Sequence, residues 1–360
     1  MYFESIKNIT QSTLEQLKAA SGYHLVFVAE HSGHEAEDLI KLLNQNNIDF
    51  FGAIYPTIFM ETHNYTSGLI IIPAKGVKKV VTITKSDEAV KEQLGDMSQY
   101  QTAFLLIDGL MDNKDELFRN IYSLVGTNIN IIGGGAGYFT LEQKPCLFTN
   151  EGIFMDGAVL AMIENKSMVA VKHGWDMFAG PFMVTSSDKN IIQEINWQPA
   201  FEIYKSAIEE KTDYRFTDEN YFEIAKMFPI GIHKDGKEYV VRDPYVLHEN
   251  GHIECISDIP ENSMIYILNG DPDTLIDAAQ EVALSTADKD RDCKCLMVFD
   301  CITRVMYLGD RFEEELSVMK NLNAGVPPTV YGVSTLGEIA STGYGYVEFY
   351  NKTIVAAAIY

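Results

Sequence analysis

Three times along the chain the same succession of segments recurs. A β-prone run is followed by an amphipathic helical stretch, a second β-prone run, a polar turn and a closing β-prone run. Residues 25–72 supply LVFVAE, EAEDLIKLLNQ, FFGAIYP and GLIIIP; residues 104–163 supply FLLIDG, DELFRNIYSLV, INIIGGGAG and GAVLAMI. Residues 296–359 supply LMVFD, FEEELSVMKNL, TVYGVST and TIVAAAIY. The helical stretches carry apolar residues three and four apart, the spacing of a helix with one buried face. Recurrence of one β-α-β-β unit indicates duplication with divergence. It predicts an α/β protein with mixed sheets. Asn64 and Thr66, before the first closing strand, resemble Asn351 and Thr353 before the last.

The three copies differ in their polar residues. In the last, Gly332, Ser334, Thr335 and Gly337 precede Glu338 directly after the β-prone run. Amides freed by glycine, two hydroxyls and a carboxylate at a strand end suit the orientation of a small polar ligand, and they also suit a tight turn. In the first copy Gly52 is followed by AIYPTIF, and the middle copy keeps only Gly133 to Gly135 and Gly137. One specialised site is therefore expected. Glu338 is expected to meet a ligand amine or hydroxyl, with Ser334 and Thr335 fixing orientation. Arg242, in YVVRDP, or Arg304 would meet a carboxylate, which the planar guanidinium fork matches.

At 360 residues the chain is long for one core, and two domains are expected, 1–205 and 206–360, with the seam in the polar tract between 205 and 225. VAVKHGWD, PFMVTSSD and KNIIQEIN alternate and turn like an antiparallel meander, and a helix is expected in QPAFEIYKSAIEE. Asp235–Gly236 and Asn250–Gly251 are hairpin turn signals. SMIYILNG, TLIDAAQEVALSTA and CLMVFD are expected to form a further β-α-β unit.

A net charge of −23 repels nucleic-acid phosphates and anionic lipid, so neither is an expected partner. The apolar runs are far below the ~20 residues that span a bilayer, so no membrane insertion is expected. The N-terminus lacks the basic and apolar regions of a signal peptide, and five scattered cysteines make no disulfide framework. A cytoplasmic location is expected. No hydrolase elbow, zinc-protease pair, phosphate loop or kinase string is present, so catalysis is not expected. An enzyme of unknown class using Cys301 or Glu338 is the alternative. His173, in KHGWD beside Trp175 and Phe178, suits either a haem ligand or a satisfied, partly buried histidine. No cofactor is expected apart from that haem alternative.

IIGGGAGYF, VKHGWD, PFMVTSSD and QPAFEIY resemble the N-terminal half of the FIST (F-box and intracellular signal transduction) sensory domain. FPIGI, YVVRDP, CLMVFDCITR, YGVSTLGEI and YNKT resemble its C-terminal half, so the resemblance runs from about residue 25 to 360. It implies a sensory module that binds small molecules such as amino acids. It also implies an output partner on a separate chain, of the histidine kinase, chemotaxis receptor or cyclic-diguanylate enzyme type, and a haem-binding nitric oxide sensor as the alternative. Two departures stand out. The first copy lacks the polar turn, and Tyr138 stands where the glycine string commonly ends in an acid.

Overall fold

The computed structural model describes residues 1–84, 87–112, 114–233, 239–288, 293, 295–320, 328–341 and 347–360. Unit one comprises the opening strand His24–Ala29, helix Ala36–Gln45, second strand Phe50–Tyr55 and closing strand Leu69–Pro73. Unit two comprises Thr102–Asp108, helix Lys114–Val125, Asn130–Ala136 and Ala158–Ile163. Unit three comprises Cys295–Cys301, helices Ile302–Leu308 and Phe312–Lys320, Thr329–Thr335 and Ile354–Ile359. In every unit the opening and second strands are parallel and the closing strand is antiparallel to the opening one. Each sheet is therefore mixed, as the repeat predicts.

What the repeat does not predict lies between the second and closing strands. The expected turn is a short hairpin: Ile58–Met60 with His63–Tyr65, Leu147–Thr149 with Gly152–Phe154, and Glu338–Ser341 with Glu348–Tyr350. Each hairpin leaves its own sheet. That of unit one pairs with the second strand of unit three, that of unit two with unit one, and that of unit three with unit two. The exchange is cyclic and ties all three units into one body.

One glycine per unit makes the exchange possible. Gly52, Gly133 and Gly332 face Val26, Leu105 and Val298 on the opening strands. Their partners on the imported hairpins are Phe148, Ile339 and Phe59. A Cβ on Gly332 would sit 2.3 Å from Val298 O and 2.2 Å from the Phe59 ring; on Gly52 it would sit 2.0 Å from Val26 O. Only a residue without a side chain lets the bulky hairpin residue lie there.

Side chains alternate across each strand. Phe27, Phe299 and Phe104 belong to a central core shared by the three sheets, whereas Val298 and Leu296 pack in a second core with the helices of unit three. Both faces being buried explains why these strands read as unbroken apolar runs.

An antiparallel module of eight strands, from Asp176–Asp188 to Met264–Asn269, precedes unit three in the chain. Helix Ala200–Glu209 packs on it, as its apolar face requires. Residues 205–225 lie within this module. The strand Ser167–Lys172, expected in the meander, instead pairs with the closing strand of unit three. Met264–Asn269 pairs with Asp176–Asp188, so it does not share a β-α-β unit with Cys295–Cys301. Its alternation fits either sheet, and only long-range pairing decides. The Asn250–Gly251 turn joins Pro244–Leu247 to Ile253–Cys255, whereas Asp235–Gly236 lies outside the described residues.

Candidate functional site

The registers allow the units to be compared residue by residue. The buried position of Glu338 in unit three is held by Ile58 in unit one and Leu147 in unit two, because each begins the hairpin one residue before Ile339, Phe59 and Phe148. Thr335 corresponds to Tyr55 and Ala136, and Asp300 to Val28 and Ile107. Counting back from the closing strands, Thr353 matches Gly68 and Gly157, whose carbonyls accept the same amide bond from Ala29 and Asp108 that Thr353 O accepts from Cys301. Asn351 and Thr353 thus do not match Asn64 and Thr66; that likeness is two residues out of register. An acid and two threonines in unit three replace apolar residues and glycine elsewhere.

These groups bond to one another. Glu338 is fully buried. It accepts from the Thr335 hydroxyl at 2.7 Å, the Thr353 hydroxyl at 2.7 Å and the Thr353 amide at 3.1 Å. Burial pushes its carboxyl up to about 8, and the nearby Asp300 adds to this, while the bonds from Thr335 and Thr353 oppose it. The geometry has a place for the extra proton. Thr335 Oγ1 also lies 3.2 Å from Asp300 O, and one hydroxyl hydrogen cannot serve both acceptors. With Glu338 protonated, the acid donates to Thr335 and Thr335 donates to Asp300 O, so both contacts are satisfied.

The other expected site residues are held elsewhere. Ser334 Oγ accepts from the Thr57 amide at 2.8 Å and the Thr57 hydroxyl at 3.0 Å, fastening the imported hairpin of unit one. Arg304 is fully buried, donating to Asp300 at 3.0 Å, Glu315 at 2.5 Å and His173 O at 2.6 Å. Arg242 donates to Asp258 O at 3.0 Å and Val241 O at 3.1 Å. None of these three lines the cavity between units two and three and the antiparallel module, and of the five residues only Thr335 does. His173 Nδ1 accepts from the Trp175 amide at 2.9 Å, so the proton is on Nε2. Burial, with Arg304 and Lys172 beside it, holds the imidazole down at about 4. In this arrangement the ring braces the Trp175 segment, and iron ligation through Nε2 would require the opposite tautomer.

A cavity of about 680 Å³ opens where the carboxyl ends of the parallel strands of units two and three meet the antiparallel module. Such strand ends are where ligands bind in α/β sheets. Unit three contributes Cys301, Thr303, Thr335 and Asn351, unit two Gly109 and Lys114, and the module Asp243, Tyr245 and Glu254. Burial, with Glu338 and Asp243 nearby, pushes the Cys301 thiol up, so it stays protonated and is not an activated nucleophile.

Sequence reasoning missed Asp243, the neighbour of Arg242. Successive residues along an extended segment face opposite ways, so where one points outward the next is a candidate for the interior. Asp243 is 1% exposed, and neither of its carboxylate oxygens accepts a hydrogen bond. Its Oδ2 lies 3.3 Å from the ammonium of Lys352, which is fully buried, donates to Lys226 O at 2.8 Å and stands 5.1 Å over the Trp175 ring. The Trp175 indole donates to Lys352 O at 3.1 Å. The segment around His173 and Trp175 therefore braces the cavity wall.

A family model described as the FIST N domain matches residues 23–198, and one described as the FIST C domain matches residues 200–341. No curated protein matches the chain.

Proposed function

The chain belongs to the FIST family, whose domains are signal-transduction sensory domains, and we propose that it is a small-molecule sensor whose ligand occupies the cavity around Thr335 and Asp243. The observation that carries this reading is the origin of the cavity walls. They come from two repeat units and the antiparallel module, so an occupant changes the packing of separate bodies. A ligand that binds one arrangement better shifts the population toward it, and that shift is the signal.

Metabolites of the size of an amino acid suit the volume and the mixed polar and apolar lining. The buried polar chain Thr335–Glu338–Thr353 lies behind the wall and holds Thr335 in place. In this reading the protein acts in the cytoplasm on a separate output chain of the histidine kinase, chemotaxis receptor or cyclic-diguanylate type. No helix among the described residues is long and apolar enough to cross a membrane, and all five cysteines are free thiols.

The test is a thermal-shift screen of metabolites against the wild type and Thr303→Trp, which puts an indole into the cavity wall and obstructs the space. A ligand at a hundredfold excess over its Kd stabilises by ~2.7 kcal/mol, a rise of several degrees in Tm. The rise is expected in the wild type and absent in Thr303→Trp. A rise that persists in Thr303→Trp, or no rise with any compound, refutes the assignment.

A further inference from the structure

Resting on the reading of this cavity as the ligand site, we propose that its ligand is an organic cation, a primary amine on an apolar body with no carboxylate. The first support is a set of buried acceptors short of donors. Asp243 Oδ2 is ion-paired with Lys352 at 3.3 Å without a hydrogen bond of good geometry, Asp243 Oδ1 has no donor, and Asn351 Oδ1, on a residue 2% exposed, has none either; both residues line the cavity. A buried acceptor left unpaired is costly. An ammonium group brings three donors and no acceptor, so it is the head group that such a wall matches.

The second support is the charge around the cavity. Among the described lining residues Asp112, Asp243 and Glu254 are acidic and Lys114 is basic. Lys114 donates to Met111 O at 2.9 Å. Lys352 pairs with Asp243 from behind through Oδ2 alone, and its ammonium is already directed to Lys226 O, Asp243 and the Trp175 face. The two arginines expected to receive a carboxylate, Arg242 and Arg304, are bonded elsewhere. A ligand carboxylate entering here would meet acids without a guanidinium to match it. A net charge of −23 raises the local concentration of cations in the same direction.

The third support concerns the rest of the ligand. Leu110, Phe222, Ile256, Ile302, Met306 and Leu336 line the same space. They have no use for a polar tail, and they give an aromatic or branched aliphatic body a surface to displace water from.

The experiment is titration calorimetry with matched series on the full chain: phenethylamine, phenylalanine and 3-phenylpropionate, then isopentylamine, leucine and 4-methylpentanoate. The wild-type comparison needs no variant. The amine is expected to bind at least tenfold more tightly than either partner sharing its body. The variant is the pair Asp243→Asn with Lys352→Met, which removes the acid without stranding the buried lysine. With its fold checked by circular dichroism, it is expected to lose at least tenfold in amine affinity. If a zwitterion or carboxylate binds as tightly as its amine, and Thr303→Trp abolishes that binding, the cavity is the ligand site and the amine inference is overturned. Amine binding unchanged in the paired variant overturns it as well. If no member of either series binds and the metabolite screen is also silent, the reading of the cavity itself fails.

Discussion

Replacing Glu338 by glutamine should remove a pH dependence of stability that the wild type carries. In the folded state burial raises this carboxyl from its ordinary 4.5 to about 8. Between those values the native protein binds a proton that the unfolded chain has released, so stability falls as pH rises through the window. The contribution is fully present below pH 4.5 and lost by about pH 8. At 1.36 kcal/mol per pH unit the whole window is worth about 5 kcal/mol at most. Glutamine reproduces the protonated arrangement. Its amide donates to Thr335 where the acid proton would, its carbonyl accepts from Thr353, and Thr335 stays free to donate to Asp300 O. Glu338→Gln should therefore match the wild type near pH 5 and exceed it by several kcal/mol at pH 9. The assay is urea unfolding from pH 5 to 9 followed by circular dichroism, with the two profiles subtracted. Subtraction matters because burial also raises Glu315 and lowers His173, and those groups titrate in both proteins. Parallel profiles across the range would refute the account of the Thr335–Glu338–Thr353 chain.

Two further substitutions probe the frame around the site. Gly332→Ala places a Cβ within 2.3 Å of a backbone carbonyl that cannot move aside, and should cost about 3 kcal/mol. Gly95→Ala, with open space but a left-handed φ of +65°, should cost about 1 kcal/mol; equal losses in urea unfolding would contradict the hairpin-packing explanation. Arg304→Met strands Asp300 and Glu315 in the interior and should destabilise by about 3–5 kcal/mol at neutral pH. A change under 1 kcal/mol in the same assay would show that the guanidinium is not what holds the two acids.

The three units were legible because both faces of their strands are buried, which writes each strand as an unbroken apolar run. The hairpin exchange was not. Its strands of three or four residues are too short to show a period, and their partners lie in other units. Glycine in FFGAIYP, INIIGGGAG and TVYGVST could be seen to recur, but its reason is a phenylalanine or isoleucine from another unit. The polar set of unit three was visible as residues and misread as to direction. Ser334, Thr335 and Glu338 were expected to face a ligand, yet two of them face inward and only Thr335 reaches the cavity. Arg242 drew attention because of its charge, while the alternation along VVRDP puts Asp243 at the wall. Counting Asn64 against Asn351 failed for a physical reason: the closing strands set the register, and they place Thr66 opposite Asn351.

A carboxylic acid at position 338 is a poor choice for packing, since Ile58 and Leu147 fill the same place in the other units with nothing left to satisfy. Retaining it requires Thr335, Thr353 and a raised proton affinity, and together these put a titratable chain one residue behind the wall of a ligand-sized cavity. The antiparallel module enters the chain between Ser167–Lys172 and Cys295–Cys301, two strands of the sheet of unit three, and closes over that sheet's carboxyl ends. The module meets the strand ends of units two and three, and the buried acid with its two threonines lies on the unit-three side. Apolar packing suffices where units merely hold one another. Where a second body must register what lies beneath it, groups that can change partners are needed, and Thr335, Asp243 and Asn351 lie at that boundary.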